Sequence, residues 1–306
     1  MTTLAITHDI FVHHETPEGH PERPDRIRTV WQVLDETDGL ARAEADECDE
    51  AVFEYAHPAD HVAAMKAAIP DDGYHRLDPD TAVSPKSWEA VRRAVGGGLA
   101  CVDAVIAGEA DNAFLAARPP GHHAEKVTAM GFCVFNTAAI MARHAQKAHG
   151  LERIAIVDFD VHHGNGTQDI FYDDPSVFYA STHQMPLYPG TGAKGETGAG
   201  NICNAPLSPG MGGEHIREAF RDRVLKELDA FAPDLLIISA GFDAHHRDPL
   251  ANIMLEADDF DWMTGKLMDA AEAHCGSRVV SLLEGGYDLR GLRESSAAHL
   301  ARLQRG

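Results

Sequence analysis

Residues 158–163 of this chain read Asp158-Phe159-Asp160-Val161-His162-His163, and Gly164-Asn165-Gly166 follows. Carboxylate and neutral imidazole together are donors for zinc or a similar divalent ion, and the glycines allow a tight turn. In extended backbone, residues two apart point to the same side. Asp160 and His162 can therefore share one metal, whereas His163 faces away and suits a supporting role. A catalytic zinc usually keeps three protein ligands and an open position for water. Asp243, in Gly241-Phe242-Asp243-Ala244-His245, could be the third. Such an ion acidifies water and polarises a carbonyl, and a base must then take the water's proton. The tandem His122-His123, after Arg118-Pro119-Pro120-Gly121, offers two candidates. Tyr287, in Glu284-Gly285-Gly286-Tyr287-Asp288, could donate to a developing oxyanion, a contribution of about 3 kcal/mol. Together these residues read as a metal hydrolase of amides or esters. Each also has a plainer reading as a solvated strand end, an incidental histidine pair or a rim tyrosine. The elements that carry them decide.

Six apolar runs read as buried parallel strands: Leu4–Thr7, Ala113–Ala117, Ile154–Phe159, Val177–Ala180, Leu235–Ala240 and Val279–Leu283. Helical stripes lie between them. Trp88, Val91, Val95, Leu99, Val102 and Ile106 form one. Ile216, Phe220, Val224 and Leu228 form a second, and Leu289, Leu292, Leu300 and Leu303 a third. The alternation predicts an α/β fold with a parallel sheet covered on both faces. Ligands of such sheets bind beyond the carboxyl ends of the strands. Five of the runs are followed there by polar motifs: the four above and Ser181-Thr182-His183. Glu18–Pro24, Pro186–Gly200 and Ser208–Gly213 read as loops rather than boundaries, so a single domain over 1–306 is expected.

The composition fits one large core, with 306 residues and 44% hydrophobic content. A net charge of -22 argues against nucleic acid and anionic membrane as partners, and weakly favours cationic substrates. Five cysteines without CxxC spacing suggest reduced thiols and a cytoplasmic setting. No N-terminal apolar segment resembles a signal peptide, and no run reaches transmembrane length. A homo-oligomer is left open.

Seven motifs occur in an order that resembles the histone deacetylase and acetylpolyamine amidohydrolase family. They are His20–Arg26, Leu77–Thr81, Arg118–Ala124, Gly131–Asn136, Asp158–Gln168, Ser239–Leu250 and Leu283–Leu289. The pattern is closer to the class II and bacterial deacetylase-like branch than to class I. The resemblance implies the arginase/deacetylase fold, with a central, mostly parallel sheet of eight strands. It implies one zinc ion on Asp160, His162 and Asp243, with His123 as general base, His122 as its electrostatic partner and Tyr287 at the transition state. Asp158 would orient His122 and also join a structural potassium site with the Ser181 hydroxyl and the carbonyls of Asp160, His162 and Thr182. Carbonyls near Phe171, Asp174 and Val177 would hold a second potassium. Phe132 and Tyr188 would form the walls of an acyl-lysine tunnel, and Gly131, Leu250 and Pro120 would also meet the substrate. Cys133 reads as a buried small side chain.

Two departures stand out. Asn165 replaces a class I aspartate facing the tandem histidines, and Glu284 replaces a class I glycine, both in class II style. The chain is also short for the family, which suggests reduced loops around the rim. The expected substrate is acetyl-lysine, with acetylated polyamine as the alternative. Leu250 occupies a position where polyamine-selective relatives place an acid. A catalytically inactive binding protein and an arginase-like enzyme with two manganese ions are the readings from other classes.

Overall fold

All six apolar runs become strands of one fully parallel, eight-stranded sheet in the computed structural model, which describes residues 1–306. The strands are β1 (Thr3–Thr7), β2 (Ala41–Glu44), β5 (Asn112–Leu115), β6 (Ile154–Asp158), β7 (Val177–Gln184), β8 (Ile202–Leu207), β9 (Leu235–Ala240) and β10 (Val279–Leu283). A separate small hairpin pairs β3 (His75–Arg76) with β4 (Ala82–Val83). The large sheet runs β2-β1-β5-β10-β9-β6-β7-β8. Every residue of β5, β6, β9 and β10 is buried, as expected for strands with helices on both faces.

The helices are α1 (Asp25–Glu36), α2 (Ala59–Ala67), α3 (Ser87–Ala107), α4 (Thr137–His149), α5 (Asn165–Phe171), α6 (Gly213–Ala219), α7 (Leu225–Phe231), α8 (Ala257–Cys275) and α9 (Leu289–Arg305). One apolar cluster of 66 buried residues joins sheet and helices into a single α/β domain. Two helix starts bear on the site. Asn136 caps α4 by accepting from the Ala139 N–H at 2.9 Å, and Asp288 caps α9 by accepting from the Gly291 N–H at 2.7 Å. Each such cap contributes about 1 kcal/mol. The second anchors the chain one residue after Tyr287.

Two expectations change. β7 continues four residues past Ala180, so Ser181, Thr182 and His183 lie inside the strand rather than beyond it. Their side chains are polar but buried, and apolar patterning therefore stops short of the true end. β2 and β8, the two sheet edges, were not signalled. β2 is short and largely exposed, and β8 carries Asn204 and Pro206. An edge position tolerates a proline that would break a central strand. No helix is long and apolar enough to cross a membrane.

Candidate active site

Parallel register brings the ends of β5, β6, β9 and β10 to the same edge. Asp158 is paired with Ser181 on one side and Ser239 on the other. The next residues outward include Asp160, His162 and Asp243, whose ligand atoms lie within 4.8 Å of one another in a fully buried group. His162 Nδ1 lies 3.2 Å from Asp160 Oδ1 and 3.0 Å from Asp243 Oδ2. Burial lowers the basicity of His162, but the two carboxylates outweigh it and push the imidazole up to about 10. The donor set thus calls for positive charge at this point, as a divalent cation would supply. The carboxylates are aimed by backbone: Gly285 N–H donates to Asp160 Oδ2 at 2.8 Å and Val161 N–H to Asp243 Oδ1 at 2.8 Å. A Cβ on Gly285 would sit 2.2 Å from Asp243 Oδ2, so only glycine can approach here.

The tandem histidines lie beside this group with ring centroids 4.0 Å apart. His122 Nδ1 meets Asp158 Oδ2 at 3.0 Å, and Asp158 also accepts from the Tyr179 hydroxyl at 3.0 Å. Burial opposes charge on His122, yet Asp160 and Asp158 hold it well above its ordinary value. His123 shows the reverse. Burial, then the His122 charge, keep it well below its ordinary value and hence neutral. Its Nδ1 meets Asn165 Oδ1 at 2.8 Å, while Asn165 Nδ2 donates to Glu125 Oε1 at 2.7 Å. Glu125 can only accept, so it fixes the amide with oxygen toward His123. His123 therefore carries its proton on Nδ1, and the lone pair of Nε2 is free.

A cavity of about 230 Å³ opens over these groups. Its walls include Phe132, Leu187, Tyr188, Leu250 and Gly131, and Asp80, His123, His162 and Tyr287 bring polar groups to it. Gly131 has φ +57°, and a Cβ there would meet His123 Cδ2 at 2.4 Å. The glycine thus lets this wall close on the imidazole. Phe132 stacks edge-on against Tyr287 at 5.7 Å, and Tyr188 against His123 at 5.2 Å. Pro120 is a correction: it is buried and does not line the cavity. The Gly121 and His122 amides are drawn onto the Glu284 carboxylate at 2.7 and 3.2 Å, which turns His123 rather than Pro120 toward the opening. His163 bonds Thr191 and Gln168 and stays off the metal group. Cys133 is fully buried, and burial pushes its thiol well above the usual range.

Three contributions went unread in the sequence. Asp80, from the turn between β3 and β4, lines the cavity mouth. Glu284 has a task that its place in the motif does not indicate. It accepts from Gly121, His122 and the Ser239 hydroxyl, the last at 3.1 Å, and so holds the histidine loop. Glu22, Arg26 and Arg118 form a buried ion network beneath the tyrosine loop. Arg26 donates to the carbonyls of Gly286 and Glu284 and stacks 4.8 Å over the Tyr287 ring. The available signal was a Glu and an Arg four apart in a proline-rich loop, with a second Arg before Pro-Pro.

The two potassium sites differ. Asp158, Ser181 and Thr182 are buried together, and the carbonyls of buried Asp160 and His162 accept no backbone hydrogen bond. These hard oxygens fit an alkali cation. The carbonyls of Phe171, Asp174 and Val177 do not fit one, because the side-chain amide of Asn201 already donates to all three.

A buried acid–base pair beside a cation-seeking group, at the carboxyl edge of a parallel sheet, is the arrangement of a hydrolytic enzyme of the α/β class. A model of the histone deacetylase domain matches residues 20–303. A histone deacetylase-like amidohydrolase of Pseudomonas aeruginosa is 42% identical over 277 residues, covering 88% of this chain and 73% of that protein. A probable deacetylase of Archaeoglobus fulgidus is 37% identical over 302 residues, covering 95% of this chain and 83% of that protein. The solved HDA15 HD domain matches with a TM-score of 0.93 at 36% identity, over 99% of this chain and 89% of that one. The chain belongs to the histone deacetylase family.

Proposed function

We propose that this protein is a zinc-dependent amidohydrolase that removes acetyl groups from lysine side chains. The observation that carries the reading is the narrow apolar cavity ending on His123, His162 and Tyr287. Its size suits one slender methylene chain, and Phe132, Leu187, Tyr188 and Leu250 give that chain apolar walls. Asp160, His162 and Asp243 would hold one zinc ion, which when bound acidifies water and polarises the amide carbonyl. Of the three clusters that could hold a metal, this is the one that is fully buried, and its three donors support one ion rather than a manganese pair.

The chain's own residues divide the remaining work. His123 Nε2 takes the proton from the attacking water, because Asn165 keeps its other nitrogen protonated. His122, bound to Asp158, supplies fixed positive charge beside the reaction. Tyr287 stays an O–H donor, since burial raises its hydroxyl well above the ordinary value despite Arg26. That hydroxyl donates to the oxyanion as it forms. Phe132 and Tyr188 sheath the stem, and Asp158, Ser181 and Thr182 would hold one structural potassium. The five buried, unpaired cysteines support a reducing compartment such as the cytoplasm.

Asp80 at the mouth favours a second substrate, because a carboxylate there suits a polyamine's distal ammonium. The same carboxylate can accept a peptide N–H. The test is hydrolysis of an acetyl-lysine peptide and of acetylputrescine, side by side, before and after zinc removal by a chelator. Loss of activity on chelation, recovery with zinc and a preference for the peptide are expected. Full activity in metal-free protein would sink the zinc reading, and a clear preference for acetylputrescine would replace the substrate. Tyr287→Phe should lower kcat roughly 10²–10³-fold with KM little changed, as for loss of one oxyanion donor. An unchanged kcat would remove Tyr287 from the chemistry.

A further inference from the structure

Asn201 stands at the entrance to β8 and is 3% exposed. Its Nδ2 lies 2.9 Å from the Phe171 carbonyl, 3.0 Å from that of Asp174 and 2.8 Å from that of Val177. An amide nitrogen has two hydrogens, yet three carbonyls converge on it. Such a ring of hard oxygens around one point is the geometry that otherwise receives an alkali cation. At the other end of the amide, Oδ1 accepts from the Ala199 N–H at 3.1 Å, which it shares with the Tyr172 carbonyl at 2.9 Å. A flip would turn the oxygen toward three carbonyl oxygens, which repel it. Two of the carbonyls are further engaged, since Phe171 accepts from Asp174 N–H at 3.0 Å and Asp174 from Val177 N–H at 3.3 Å.

We propose that the Asn201 side-chain amide permanently takes the place of a second structural alkali cation, so that this chain holds no monovalent ion among the Phe171, Asp174 and Val177 carbonyls. Its two partly positive hydrogens serve the oxygens that a cation would serve. Because the amide is tethered to β8, the turn between α5 and β7 is fastened to the sheet edge without depending on the salt outside. This inference stands apart from the hydrolytic reading: it concerns an ion count, and it holds or fails whatever the substrate is.

Crystals of the full chain grown with thallium(I) in place of potassium test it by anomalous scattering. No peak is expected among the three carbonyls in the natural protein, and one is expected there in Asn201→Ala, where the ring has lost its donor. A peak at that position in the natural protein would overturn the proposal, as would a variant whose ring stays empty. A peak beside Asp158 and Ser181 bears separately on the other cation site. Should the variant resist crystallisation, its melting in KCl against choline chloride at equal ionic strength gives the same answer. Potassium should raise the melting temperature of Asn201→Ala by roughly 2–4 °C more than that of the natural protein. Equal shifts in the two proteins would overturn it.

Discussion

His123→Ala is expected to lower kcat/KM for an acetyl-lysine peptide by roughly 10²–10⁴-fold, the range for loss of a general base. Bound zinc and melting temperature should stay close to those of the natural protein. The neighbouring imidazole cannot take over. His122 is tied through Nδ1 to Asp158, and its Nε2 lies 3.8 Å from Asp160 rather than on the cavity wall. Only His123 combines a place in the cavity with a proton fixed on Nδ1 by Asn165. Steady-state kinetics with metal analysis of the same sample checks this. Activity within tenfold of the natural protein at full zinc content would assign the base elsewhere.

Glu22→Ala should destabilise the fold by about 3–5 kcal/mol, the usual consequence of removing one partner from a buried ion group. Glu22, Arg26 and Arg118 all have zero exposure. Arg118 Nη2 donates to Glu22 Oε2 at 2.6 Å, and Arg26 Nη1 to Oε1 at 3.0 Å. Without the carboxylate, two guanidinium groups stay buried and unpaired. Burial by itself would raise the Glu22 carboxyl, but Arg118 and then Arg26 prevail and hold it down from 4.5 to about 2. A carboxyl depressed on folding stabilises the protein above its unfolded value, and that contribution disappears as pH falls from 4.5 toward about 2. The depression corresponds to about 3 kcal/mol, in line with the mutational figure. Urea unfolding of Glu22→Ala and Glu22→Gln at neutral pH measures the effect. A loss below about 1 kcal/mol in both would mean that the arginines find other partners. Because Arg26 also holds the Gly286 carbonyl, the same variants should loosen the Tyr287 loop before global unfolding, which hydrogen exchange there would detect.

Much of this was legible along the chain. Ile154–Val157 and Leu235–Ile238 are uninterrupted apolar runs, as strands buried on both faces require. A polar motif directly after such a run must lie at the ligand-binding edge. Asp160 and His162 were separable from His163 by the two-residue repeat of extended backbone, although β6 ends at Asp158 and the chain already bends at Val161 and His162. The unread parts depend on partners far away. The polar end of β7 becomes buried only when β8 covers it. Pro120 could not be excluded from the cavity without Glu284, which lies 163 positions beyond Gly121. The ion network joins Glu22 to Arg118 across 96 positions, and Arg26 reaches the Glu284 backbone carbonyl across 258.

The residue types alone determined the available chemistry: carboxylates and imidazoles that seek a cation, a tandem base, an oxyanion donor and the strands that present them at one edge. Direction was decided by tertiary contacts. Glu125 turns Asn165, and Asn165 sets which nitrogen of His123 is basic. Asn201 fills a ring of carbonyls that the motif alone would have left for an ion. What a side chain can donate or accept is intrinsic to it. Which way it faces, and whether its partner is a proton, an amide or a cation, depends on groups that only folding brings within hydrogen-bond reach.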